Sequence, residues 1–145
     1  MRKVFVDTHV LLFATQSDSP LFHTAQNRLR EAAETSELFT SGQVLRAYTH
    51  TFVREAVHNG MPVQDAIHVA LKNINIFRSH MQVLQDDETT LNTWEYLLPS
   101  LADSSEILDA ARVASMKSAG VSCLLTYKAD AYNRFDNLIT VWPLA

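Results

Sequence analysis

Three aspartates stand where apolar runs end or a helix begins. Asp7 follows Val4-Phe5-Val6, Asp109 lies early in a segment rich in small residues, and Asp130 follows the run that closes at Thr126. In a parallel α/β sheet, function gathers at the carboxyl ends of the strands. If the runs at 4–6 and 122–126 are neighbouring strands, the three acids converge at one sheet edge. Clustered carboxylates repel and need a hard cation, and Mg²⁺ or Mn²⁺ suits oxygen ligands. Such ions activate water and stabilise charge during phosphodiester hydrolysis. An Asp after a strand also serves as a helix cap or turn residue, so spacing alone leaves both roles open.

Other residues near these acids carry chemistry of their own. His9 can bind phosphate or shuttle a proton near neutral pH, or it can fix the loop after the first strand. Thr8 and Thr126 are placed to orient carboxylates through their hydroxyls. Lys128 brings a cation that can meet phosphate. Glu106 shares a helix face with Asp109, and Asp103-Ser104-Ser105-Glu106 reads as a capping box that occupies that glutamate. His50 lies beside a buried stripe and reads as structural.

The elements that must position these groups follow from periodicity. Residues 2–6 predict a strand, and a helix begins at Val10. Ser19-Pro20 predicts a helix start, running to about Ala33. Glu37–Thr40 predicts a second strand. Val44, Leu45, Tyr48, Phe52 and Ala56 recur at helical spacing up to Asn59-Gly60. Pro62 opens the next helix, with Ile67, Ala70, Leu71, Ile74 and Phe77 as its buried stripe. Met81–Leu84 predicts a strand, and Leu91, Trp94, Leu98 and Leu101 mark a helix. A helix then runs to Gly120, followed by strands at 121–126 and 138–142. Trp94 and Trp142 are expected in the core. The alternation implies a mainly parallel α/β sheet covered on both faces.

Composition bounds the rest. The 145 residues suit one domain, 1–145, and 47% hydrophobic against 19% charged residues is a globular balance. A net charge of −4 argues against bulk attraction to nucleic acid, while a metal-bearing acidic site still meets phosphate. The single cysteine, Cys123, sits in an apolar run and reads as a buried thiol. No apolar stretch is long enough for a membrane span and Asp7 interrupts any signal-like core, so a cytoplasmic location is expected.

The sequence resembles PIN domains, especially VapC-type toxins of bacterial toxin–antitoxin pairs. Val4-Phe5-Val6-Asp7-Thr8-His9-Val10-Leu11-Leu12 is similar to that family's opening strand and Asp-Thr-Asn. Thr40-Ser41-Gly42-Gln43-Val44-Leu45-Arg46-Ala47-Tyr48 resembles its Ser-x-Gln-Val-Leu-x-Glu segment. Asp109 to Ser115, Gly120 and Leu124-Leu125-Thr126-Tyr127 resemble its Asp-Ala helix and following strand, and Arg134 to Val141 fits its ending.

The resemblance implies a three-layer α/β/α fold and a metal-dependent endoribonuclease. Asp7 and Asp109 would hold Mg²⁺ or Mn²⁺, with Asp130 as a third catalytic acid. It also implies RNA as substrate, a small antitoxin protein as partner and a homodimer. The departures are specific. The family's glutamate falls on Ala47, its post-strand Asn or Asp on Lys128, and its last Asp on Ala131, with Asp130 one residue away. The alternative is a PIN fold impaired in catalysis that acts by binding RNA or protein. A receiver-like phosphoacceptor built on Asp7, Asp86 or Asp87, and Lys128 fits the spacing poorly, because two helices intervene.

Overall fold

β1 (Arg2–Val6) is fully buried from Val4 onward. A strand with no solvent face belongs inside a parallel sheet. It pairs in parallel with β2 (Ser36–Ser41) on one side and β4 (Cys123–Thr126) on the other. β3 (Gln82–Leu84) and β5 (Thr140–Pro143) complete an all-parallel sheet of order β3-β2-β1-β4-β5. The computed structural model describes all 145 residues.

Six α-helices connect the strands: α1 (Thr8–Thr15), α2 (Phe22–Thr35), α3 (Gly42–His58), α4 (Val63–His80), α5 (Glu88–Leu97) and α6 (Glu106–Ser118). Short 3₁₀ segments lie at Leu98–Ser100 and Ala129–Phe135. The chain steps outward from β1 to β2 and β3, then crosses back to β4 and β5. Right-handed crossovers therefore place α1–α4 over one face and α5–α6 over the other. Within the layers α1 packs on α2 and α3, α3 on α4, and α5 on α6. The direction reverses between β1 and β4, so the crevice at their carboxyl ends is the topological switch point. The strand order also separates this sheet from the 2-1-3-4-5 order of receiver-like folds.

The expected three-layer α/β/α arrangement is present, with local shifts. α1 begins at Thr8, because Asp7 caps it. α2 begins at Phe22; Ser19 instead accepts the Leu21 N–H at 3.1 Å, making Ser19-Pro20 a turn before the helix. Gly60 and Gly120 have φ of +102° and +70°, left-handed values at the ends of α3 and α6 that favour glycine. Cys123 is a free, buried thiol, raised in pKa by burial.

The largest departure is α4. Its expected stripe includes Ile67 and Leu71, yet these are 40% and 51% exposed. Ala66, Ala70 and Phe77 face the core, and Ile74 is partly buried. Nothing in the chain packs over the rest of the stripe, so a helical pattern that matches a buried face meets solvent. The tryptophans are also partly buried, at the margin of the core. Trp142 lies under the Arg2 and Arg28 guanidinium groups at 4.8 and 5.3 Å, and Trp94 donates to the Ile107 carbonyl at 3.0 Å. Each finds a cation or a hydrogen-bond acceptor that a fully apolar core lacks.

One hydroxyl ties the helical layer together. Tyr48 on α3 shares a hydrogen bond with Thr15 of α1 at 2.8 Å and accepts one from Asn73 of α4 at 3.0 Å. Its ring packs edge-on against Phe77. Tyr48→Phe keeps the ring and leaves both partners short of one bond. Urea unfolding should show a loss of about 1–2 kcal/mol, with the far-UV spectrum unchanged.

Candidate acidic site

Asp7 leaves β1 at the switch point. Its backbone N–H continues the ladder to the Leu125 carbonyl at 3.0 Å, which fixes the residue against β4. The side chain is buried, and a buried carboxylate must be matched by donors or positive charge. Asp7 Oδ1 accepts the Thr8 N–H at 2.8 Å and thereby caps α1. Oδ2 accepts the hydroxyls of Thr126 and Tyr132, each at 2.9 Å. Cap and site residue are thus one and the same here.

The positive charge comes from Arg112 on α6. Its Nε lies 3.2 Å from Asp7 Oδ1, and its Nη1 donates to Asp109 Oδ1 at 3.1 Å. The Asp7 contact is ionic without hydrogen-bond alignment, as Nε has no aligned partner. All three side chains are largely shielded from solvent. Burial works against the guanidinium charge, yet Asp7, Tyr132 and Asp109 outweigh it and hold the Arg112 pKa above its ordinary value. Burial raises the Asp109 carboxyl, Arg112 opposes that rise and the Asp7 charge adds to it. The Tyr132 phenol is raised by burial and then by Asp7, so it remains a donor.

The fold brings together Asp7, Asp109 and Thr126 as the sequence expects, and adds Arg112 and Tyr132. Thr126 also accepts the Lys128 N–H at 3.2 Å, fixing the hydroxyl it gives to Asp7. Thr8 acts through its backbone, since its buried hydroxyl bonds no protein group. Asp130 is exposed on the 3₁₀ segment and makes no ion pair or hydrogen bond with the other acids. Tyr132, two residues on, is the residue of that segment that reaches Asp7. Glu106 is committed elsewhere: it accepts the Ala102 and Asp103 N–H groups at 2.8 and 3.0 Å and pairs with Arg134 at 2.6 Å. Asp103 accepts the Ser105 N–H at 2.9 Å in the turn before α6, whose N-cap is Ser105 with no side-chain cap bond, so only the Glu106 half of the expected capping box forms. His9 is half-buried beside Phe13 and Tyr127.

These residues do not fit Mg²⁺ or Mn²⁺. Three hydrogen-bond donors and a guanidinium nitrogen already surround the Asp7 oxygens, which offer about four acceptor positions. The second acid is paired to the same guanidinium. No group of three His, Cys, Asp or Glu side chains lies close enough to hold an ion. A hard cation needs several oxygen ligands with free lone pairs.

Sheet order, crossovers and an aspartate at the switch point define a class of parallel α/β folds with an acidic centre. Comparison with solved structures makes it specific: the chain has the PIN-domain fold of the VapC type. One match is VapBC2 from Rickettsia felis bound to a promoter DNA fragment, with a TM-score of 0.70, 14% identity and 97% of this chain and 98% of that one covered. FitAcB from Neisseria gonorrhoeae matches with a TM-score of 0.69 and 12% identity over 97% of each chain. VapC20 from Mycobacterium tuberculosis, a sarcin–ricin-loop-cleaving toxin, matches with a TM-score of 0.62 and 18% identity over 83% and 86% of the two chains. No family model matches the sequence, and no curated protein matches it. No helix is long and apolar enough to cross a membrane.

His9 supplies a test of the site's electrostatics. Burial, then Lys128, lowers its pKa below 6.5, with Arg112 acting the same way and Asp7 and Glu55 opposing. The unfolded chain therefore binds this proton more readily than the folded one. Stability falls as pH drops through the unfolded value. Urea unfolding between about pH 8 and pH 5 should show that slope, and His9→Gln should flatten it.

Proposed function

We propose that this chain is the toxin-type PIN-fold member of a two-protein pair and that it works by binding a protein partner, with its acidic centre closed to metal-driven hydrolysis. The Arg112 bridge between Asp7 and Asp109 carries this reading, because it occupies the acids that would recruit an ion. Ala47 and Ala131, which bring no oxygen ligand, support it, as does a net charge of −4, which disfavours broad contact with RNA phosphate.

The partner surface is the uncovered face of α3 and α4. Val53, Val57, Val63 and Ile67 line a groove of about 400 Å³ together with His50 and Arg54. A second hollow of about 380 Å³ extends it past Leu45, Arg46 and Ile74. Arg46, His50, Arg54 and His58 recur every four residues, so they form one row along α3. An apolar groove edged by that row suits an acidic amphipathic helix. The VapBC and FitAB complexes among the matched structures make a small antitoxin the partner of choice.

A second reading, hydrolysis of RNA with Mg²⁺ or Mn²⁺, is favoured by the convergence of Asp7 and Asp109 on one guanidinium. One set of experiments separates the two. The chain is coexpressed with a candidate small antitoxin protein, and separately incubated with labelled RNA and Mn²⁺. The binding reading expects a defined complex, weakened at least about tenfold by Arg54→Glu or Ile67→Asp, and RNA left intact. RNA cleavage abolished by Asp109→Asn establishes the second reading. A homodimer by light scattering that Ile67→Asp dissociates, with no complex, assigns the face to a second copy.

A further inference from the structure

Asp7 and Asp109 are two largely buried carboxylates held against one guanidinium, the closed centre on which the binding reading rests. We infer that Arg112 is the resident cation of this site, taking the place of a divalent ion, and that removing its guanidinium converts Asp7 and Asp109 into a cation-binding pair. The geometry is direct. One guanidinium touches Oδ1 of both acids, at 3.2 and 3.1 Å. No other cation makes an ion pair with either acid. The Thr126 and Tyr132 hydroxyls bond Asp7 on its other oxygen, so Oδ1 is the oxygen that the guanidinium covers.

Arg112 and Asp109 belong to the same helix, three residues apart, so the neutralising charge is fixed wherever the acid is fixed. An exchangeable ion is loaded from solution at a strength set by its concentration. A guanidinium built into α6 is always present. The folded wild-type chain is therefore expected to be indifferent to divalent ions. Without Arg112, the two acids repel and Asp7 Oδ1 regains an acceptor position. A cation then binds the native state alone and stabilises it.

The test is thermal unfolding of the full chain in EDTA, Mg²⁺ or Mn²⁺, with calorimetric titration of Mn²⁺. The wild-type midpoint should stay constant across all three, with no heat of binding. Arg112→Ala should lower the midpoint by about 10 °C in EDTA, as expected for a broken buried pair. Mn²⁺ should restore part of that loss in a concentration-dependent way. The double variant Arg112→Ala with Asp109→Asn should show no restoration. Arg112→Lys, which keeps a cation, should remain insensitive to Mn²⁺. Wild-type Mn²⁺ binding that is lost in Asp109→Asn overturns the inference. So does a folded Arg112→Ala chain that ignores Mn²⁺. If Arg112→Ala does not fold, the wild-type titration and the folding of Arg112→Ala in Mn²⁺ alone decide the matter. The two failures are distinguishable: a folded Arg112→Ala chain that ignores Mn²⁺ leaves the binding reading standing, whereas Mn²⁺ binding by the wild-type chain removes the closed centre on which that reading rests.

Discussion

The structure is organised around the buried carboxylate of Asp7. A charge at the switch point of a parallel sheet is costly unless it is surrounded by donors and countercharge. This fold supplies them from four separated stretches of chain: the Thr8 backbone, Thr126 at the end of β4, Tyr132 from the 3₁₀ segment and Arg112 from α6. Asp7 therefore fixes β4, α6 and the C-terminal segment relative to β1 at one point.

The same constraint limits what else the acids can bind. Each donor that stabilises Asp7 uses an acceptor position that an ion would need. Arg112 also neutralises part of the negative charge of Asp7 and Asp109 that would otherwise attract an ion. Breaking the Arg112 pairs would leave an uncompensated buried charge, worth about 3–5 kcal/mol, so the guanidinium is held in place by the charges it serves.

The sequence allowed much of this to be read and concealed the decisive part. The order of strands and helices was legible because Val4-Phe5-Val6 and Cys123-Leu124-Leu125 are continuous apolar runs, the pattern of strands buried on both faces. The convergence of Asp7 and Asp109 was legible from their places after a strand and in an α6 rich in small residues. The Glu106 cap was legible from its three-residue spacing to Asp103. Arg112 was not, although its signal was present: an arginine three residues after an expected ligand shares that ligand's helix face. Counting acids alone missed the base beside them. Tyr132 was not legible either, because a phenol that bonds a carboxylate and a core phenol look alike in sequence. The exposure of Ile67 and Leu71 was also hidden, since periodicity reports that a face is apolar and says nothing of what covers it.

Those two hidden features point the same way. At the centre, the groups that would engage an ion are engaged with one another. On α4, the groups that would pack in a core are left open, beside a row of basic side chains on α3. Unsatisfied interaction capacity is what a binding surface requires, and the chain has it on the helical face and lacks it at the acids. Asp7 links β1, β4, α6 and the C-terminal segment through its donors and countercharge. For that reason a neutral substitution at Asp109, which leaves Arg112 its Asp7 contact, disturbs the fold less than a neutral substitution at Asp7, which leaves Arg112 only its Asp109 contact and weakens the acceptor of two buried hydroxyls as well.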